Sequence, residues 1–76
     1  MDILRLVKMA NEIGAYFEAY PDRQQAVNGV ADHLRRFWEP RMRRQLLDYV
    51  RRGDGGLRNV VLEAAAILEK EAPAGD

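Results

Sequence analysis

The sequence predicts an all-α protein, a small bundle of four short helices, on three observations. Apolar residues recur at helical spacing almost end to end, and no segment alternates apolar with polar residues as a half-buried strand would. Tyr20-Pro21, Glu39-Pro40 and the run Gly53-Asp54-Gly55-Gly56 cut the pattern at short intervals. A chain of 76 residues makes one domain, expected over 1–71, with a disordered tail over 72–76.

Each helix has its own stripe. In the first, Ile3, Leu6, Val7, Ala10, Ile13 and Phe17 share a face, with Gly14 beside it. A mid-helix glycine costs about 1 kcal/mol of propensity, so close approach of another helix is the expected compensation. Lys8 and Glu12 are spaced for an i,i+4 pair on the outer side. Tyr20 ends this helix, because a residue before proline is pushed out of the α region. Asp22 then reads as an N-cap, with Gln25 completing a capping box.

Val27, Val30, Ala31, Leu34 and Trp38 make the second stripe, with Phe37 at its edge. Pro40 suits the first turn of a third helix whose stripe is Met42, Leu46, Tyr49 and Val50, flanked by Leu47. Gly53 is its expected C-cap. The fourth runs from about Leu57 to Glu71, with Leu57, Val60, Val61, Ala64, Ile67 and Leu68 facing inward.

Composition removes whole classes of function. There are no cysteines, which removes disulfides, iron–sulfur ligation and thiolate zinc sites. A single histidine, His33, cannot build a histidine-rich metal site. Serine and threonine are absent as well, so the only side-chain hydroxyls are those of three tyrosines, and no catalytic, cofactor-binding or metal-binding residue is expected. No stretch approaches the roughly 18 apolar residues needed to cross a membrane. The start MDILRLVKMANEI has no signal-peptide pattern, so a cytoplasmic location is expected.

The neutral total charge hides a polarised chain. Residues 33–52 hold seven arginines against Glu39 and Asp48, a balance of +5, while the remainder has five basic and ten acidic residues, −5. Arg41, Arg43 and Arg44 fall in the opening turns of the third helix, where a cation is disfavoured by roughly 0.3–1 kcal/mol. Glu39 as a capping acid and Asp48 paired to Arg44 would relieve part of this. Three readings of the block stay open: a solvated cationic face, a docking face for acidic or phosphate groups, and a DNA-reading helix-turn-helix. Glu39 and Asp48 count against nucleic acid, since they put negative charge in the same surface.

Trp38 continues the second stripe and is expected in the core. Phe37 lies 100° round the helix from it, and one of the two should reach the rim. Aromatic residues beside arginine are the usual anchors of protein interfaces. His33, between core and solvent, is expected to make a structural hydrogen bond rather than transfer protons. Asn11, near the first stripe, suits either a bond to a neighbouring loop or a partner contact.

MANEIGAYFEAYP followed by ADHLRRFWEPRMRRQLLDYV resembles the delta subunit of soluble, NAD-dependent molybdenum formate dehydrogenases. The pattern is Met9, Ala10, Asn11 and Ile13, then His33, Leu34, Phe37, Trp38, Glu39, Pro40, Arg41 and Met42, and the similarity runs from about Leu4 to Leu68. The resemblance implies a non-catalytic accessory subunit in which no redox centre resides. It also implies a large alpha subunit carrying the molybdenum pterin and iron–sulfur clusters, with beta and gamma subunits carrying FMN, further clusters and the NAD site. The expected role is docking on the large subunit to support its assembly or stability. The alternative is a transient assembly or cofactor-loading factor absent from the mature enzyme. The expected partner interface is Asn11, His33, Arg36, Phe37, Trp38, Arg41, Met42 and Arg44.

Overall fold

A computed structural model describes residues 2–71, and four helices follow in order: α1 (Ile3–Phe17), α2 (Arg23–Phe37), α3 (Pro40–Arg52) and α4 (Asn59–Glu71). The described residues contain no strand. No helix among them is long and apolar enough to cross a membrane. The tail expected over 72–76 lies outside the described residues.

The chain punctuation acts as its chemistry demands. Asp2 and Asp22 cap α1 and α2, each carboxylate accepting from a backbone N–H two residues on, Leu4 at 3.1 Å and Gln24 at 3.0 Å. The capping box expected with Gln25 does not form among the described residues: the Asp22 carboxylate accepts from the Gln24 amide, and the Gln24 side chain donates to Asn28 at 3.0 Å. Beyond Phe17, Ala19 and Tyr20 bond back to the carbonyls of Tyr16 and Phe17, tightening the chain toward Pro21. Trp38 and Glu39 are extended, with ψ of 136° and 151°, so Pro40 can open α3 directly. Glu39 makes no side-chain capping bond. Its extra methylene sets it outside the short side chains that reach a helix's first amides. Gly53, at φ 71°, closes α3 as expected.

The core is formed by all four stripes, and Leu6, Val30, Leu34, Leu46, Val60 and Val61 are its largest fully enclosed side chains. Packing is most extensive between α2 and α4. There Ala26, Ala31, Ala64 and Ala65, all buried, keep the backbones close. Gly14 shows why α1 tolerates a glycine: a Cβ there would stand 2.8 Å from Val61 Cγ2 and 3.0 Å from Val60 Cγ1. Gly29 does the same for α1 against α2, where a Cβ would collide with the Phe17 ring.

The fourth helix begins two residues later than the periodicity suggests. Asn11 explains the delay, because its side chain donates to the Gly56 carbonyl at 2.8 Å and accepts from the Arg58 amide at 2.9 Å. Leu57, held between those bonds, still packs half-buried on the core. Tyr49 adds a hydroxyl bond to the Gly55 carbonyl at 2.7 Å.

Candidate partner interface

Most of the arginine block is spent inside the molecule. Arg35 on α2 makes a two-pronged contact with Glu71 on α4, at 3.0 and 3.1 Å, and a third bond to Asp32 at 3.2 Å. Arg36 meets the other oxygen of Asp32 at 3.2 Å. Arg51 on α3 pairs with Glu69 on α4 and with Asp48 at 2.9 Å. Hydrogen bonding and attraction from Glu69 raise the Arg51 pKa above its ordinary value. Arg52 pairs with Asp54 at 3.3 Å and lies over the Tyr49 ring.

Arg43 resolves the misplaced charge at the start of α3. Its guanidinium reaches back to the end of α2 and donates to the carbonyls of Leu34 at 3.3 Å, Arg35 at 3.1 Å and Trp38. The last carbonyls of a helix lack partners within it, and that end carries a partial negative charge. A cation unfavourable for α3 is therefore favourable for α2.

Two expected relations do not form. Asp48 turns to Arg51 rather than Arg44, joining an arginine already anchored by Glu69 near the C-terminal end of the helix, where positive charge is favoured. Lys8 and Glu12 make no ion pair among the described residues; an exposed pair worth about 0.3–0.5 kcal/mol does not hold two long side chains in place. Arg41 and Arg44 are exposed and make no ion pair among the described residues. Arg44 lines a cleft with Arg35, Arg43 and Arg51, above Pro40, Leu47 and Leu68.

The second surface feature is aromatic. Tyr16 meets Phe17 edge-on with ring centroids 5.0 Å apart, and Tyr20 lies 5.6 Å from Phe17. Phe17 stands 6.3 Å from His33, which stands 4.8 Å from Phe37. The row crosses from α1 to α2 and ends on Phe37, whose surface is 72% exposed. Tyr16 is 67% exposed. Beside the row runs an open groove lined by Met9, Glu12, Ile13, Tyr16, Phe17, His33 and Trp38.

The structure thus sorts the expected interface residues into separate places. His33, Phe37 and Trp38 belong to the groove and its aromatic row, Trp38 as a buried edge at 5% exposure and Phe37 as the projecting ring. His33 makes ring contacts and, among the described residues, no hydrogen bond, because its imidazole lies between Phe17 and Phe37. Arg36 and Arg41 stand on either side of Phe37 and Trp38 in the chain. Arg44 faces the separate arginine cleft, Met42 packs half-buried against the core, and Asn11 holds the loop before α4. Tyr16 and Tyr20 are surface residues that sequence reasoning did not single out, whereas Phe17, on the inward stripe as expected, packs half-buried against the core and also lines the groove. Phe17 reads as core from its spacing, while the exposed tyrosines two positions either side of Glu18 were the available signal. Among the described residues no group of three or more acids and histidines gathers to hold a metal.

Searches of curated proteins and of solved structures returned no match. One family model does match, over residues 5–65, and this span holds the groove, the aromatic row and every arginine of the block. That match covers most of the 76 residues and includes both motifs that carry the resemblance. The chain belongs to the family of NADH-dependent formate dehydrogenase delta subunits, FdsD.

Proposed function

We propose that this chain is a non-catalytic accessory subunit of an NAD-dependent formate dehydrogenase. It docks on the large molybdenum-containing subunit through the aromatic row and the arginines at the α2–α3 joint, and so supports assembly or stability of that subunit. The molybdenum pterin, iron–sulfur clusters, FMN and NAD site belong to the alpha, beta and gamma partners in this reading. The family supports the enzyme context. The observation that carries the docking is Phe37, a large apolar ring 72% exposed at the end of a row of rings in edge-on and tilted contact. A surface of that kind close in the chain to Arg41, which has no ion pair among the described residues, matches the anchors of protein interfaces.

The test is co-expression with the enzyme subunits and purification through a tag on this chain. A molybdenum- and iron-containing flavoprotein recovered at a fixed ratio is the expected result. Recovery far below that ratio, chiefly with metal-poor enzyme, would contradict the subunit role and point to a transient assembly factor.

A further inference from the structure

We infer that the groove between α1 and α2 receives one amphipathic helix of a larger partner subunit. That helix is two to three turns long, apolar along its centre, with a carboxylate at the end that meets the α2–α3 joint. The inference deepens the docking reading above and rests on it.

Size and direction come from the walls. The short connection after Phe17 turns the chain back, so α1 and α2 run antiparallel: Phe17 lies against Gly29 and His33, and Met9 and Ile13 share the groove with Trp38. From Met9 to Phe17, or from Gly29 to Phe37, each wall extends about 12 Å, a little over two helical turns.

The kind of backbone follows from hydrogen bonding. Both walls are helices, whose amides and carbonyls are bonded within themselves, so they offer no sheet edge for an extended segment. A segment pressed into this largely apolar groove must satisfy its own backbone groups. A helix does so, and Met9, Ile13, Phe17 and Trp38 give it an apolar floor.

Charge sets its polarity. Flanking Trp38 in the chain, outside the groove's own lining, are Arg36, its side chain 70% exposed and paired with Asp32, and Arg41, exposed with no ion pair among the described residues. Midway along the α1 wall stands Glu12, also without an ion pair among them. The groove therefore selects a carboxylate at one end and disfavours one at its centre. The hydroxyls of Tyr16 and Tyr20 supply polar contacts at the opposite end, as amphipathic rings do at interface rims.

The experiment uses the tagged complex with Phe37→benzoylphenylalanine or Tyr16→benzoylphenylalanine, photolysis, and mass spectrometry of the joined peptides. The expected product is a helical peptide of a larger subunit with apolar residues at i, i+3 or i+4 and i+7, and an Asp or Glu nearer the Phe37 adduct. Arg36→Glu with Arg41→Glu should then lower retention about tenfold, and a lysine in place of that acid should restore it. Circular dichroism of the isolated variant confirms that the fold is kept. Adducts to a second copy, to a polar segment, or at neither position while the complex stays intact would overturn the groove but leave the accessory role standing. A chain that fails to travel with the enzyme at all would overturn both.

Discussion

Arg43 and Arg44 are neighbours of the same type, yet the fold gives them opposite work. Arg43 reaches three carbonyls at the end of α2, two of them in part-buried bonds, while Arg44 is exposed without an ion pair among the described residues. The Leu34 carbonyl also accepts from the Trp38 amide, but the Trp38 carbonyl would lose the Arg43 donor, and a buried acceptor left unsatisfied costs about 1–3 kcal/mol. Arg43→Ala should accordingly lower unfolding free energy by about that amount in a denaturant titration, whereas Arg44→Ala should stay within about 0.5 kcal/mol. Equal effects would show that the cap contributes nothing. Asn11 makes a comparable local claim. With its side chain removed, the Arg58 amide loses its acceptor, and Asn11→Ala should speed hydrogen exchange at that amide while exchange in the middle of α2 changes far less.

At the scale of the helices, contact between backbones outweighs intrinsic propensity. Gly14→Ala would improve α1 by about 1 kcal/mol on propensity alone. The added methyl meets Val60 and Val61, both fully buried on α4, and overpacking of that kind costs about 1–3 kcal/mol. The prediction is a net loss of stability, read as a lower melting temperature; a rise would mean that α1 and α4 separate without cost. The ion pairs from α4 to α2 and α3 count for less. Their side chains are 40–57% exposed, and pairs of that kind contribute about 0–1 kcal/mol each. Glu71→Gln and Glu69→Gln should each cost less than Arg43→Ala.

The helices themselves were legible because proline, glycine and apolar spacing act locally, within a turn or two. Gly14 could be read as a close approach for the same reason: a glycine inside a strong stripe needs compensation. Long-range partners were not legible. Nothing near Arg43 in the sequence says that it will face the end of the preceding helix, and nothing near Glu69 or Glu71 says which arginine each will meet. Gly29 lies in an ordinary polar-apolar pattern, and only the Phe17 ring across the helix pair explains it. The groove was half visible. Phe37 and Trp38 could be separated by their angle round the helix, but Tyr16, Phe17 and Tyr20 join them only once α1 folds against α2.

For the whole molecule, the arginine-rich block and the acidic remainder are brought together by the fold: Arg35 and Arg51 of the block each bind an acid on α4, as does Arg23 from outside it. Among what remains outward are the aromatic groove and the cations that flank Trp38 in the chain, the surface through which the proposed accessory role would act. The most direct measurement compares Phe37→Ser with Leu4→Ser in the tagged formate dehydrogenase complex. Both residues are large, apolar and exposed, at 72% and 67%, but only Phe37 belongs to the aromatic row. Retention of the chain should fall about tenfold or more for Phe37→Ser, the scale of an interface anchor, and stay near wild type for Leu4→Ser. Equal retention of the two variants, or a greater loss for Leu4→Ser, would contradict the assignment of the groove as the docking face.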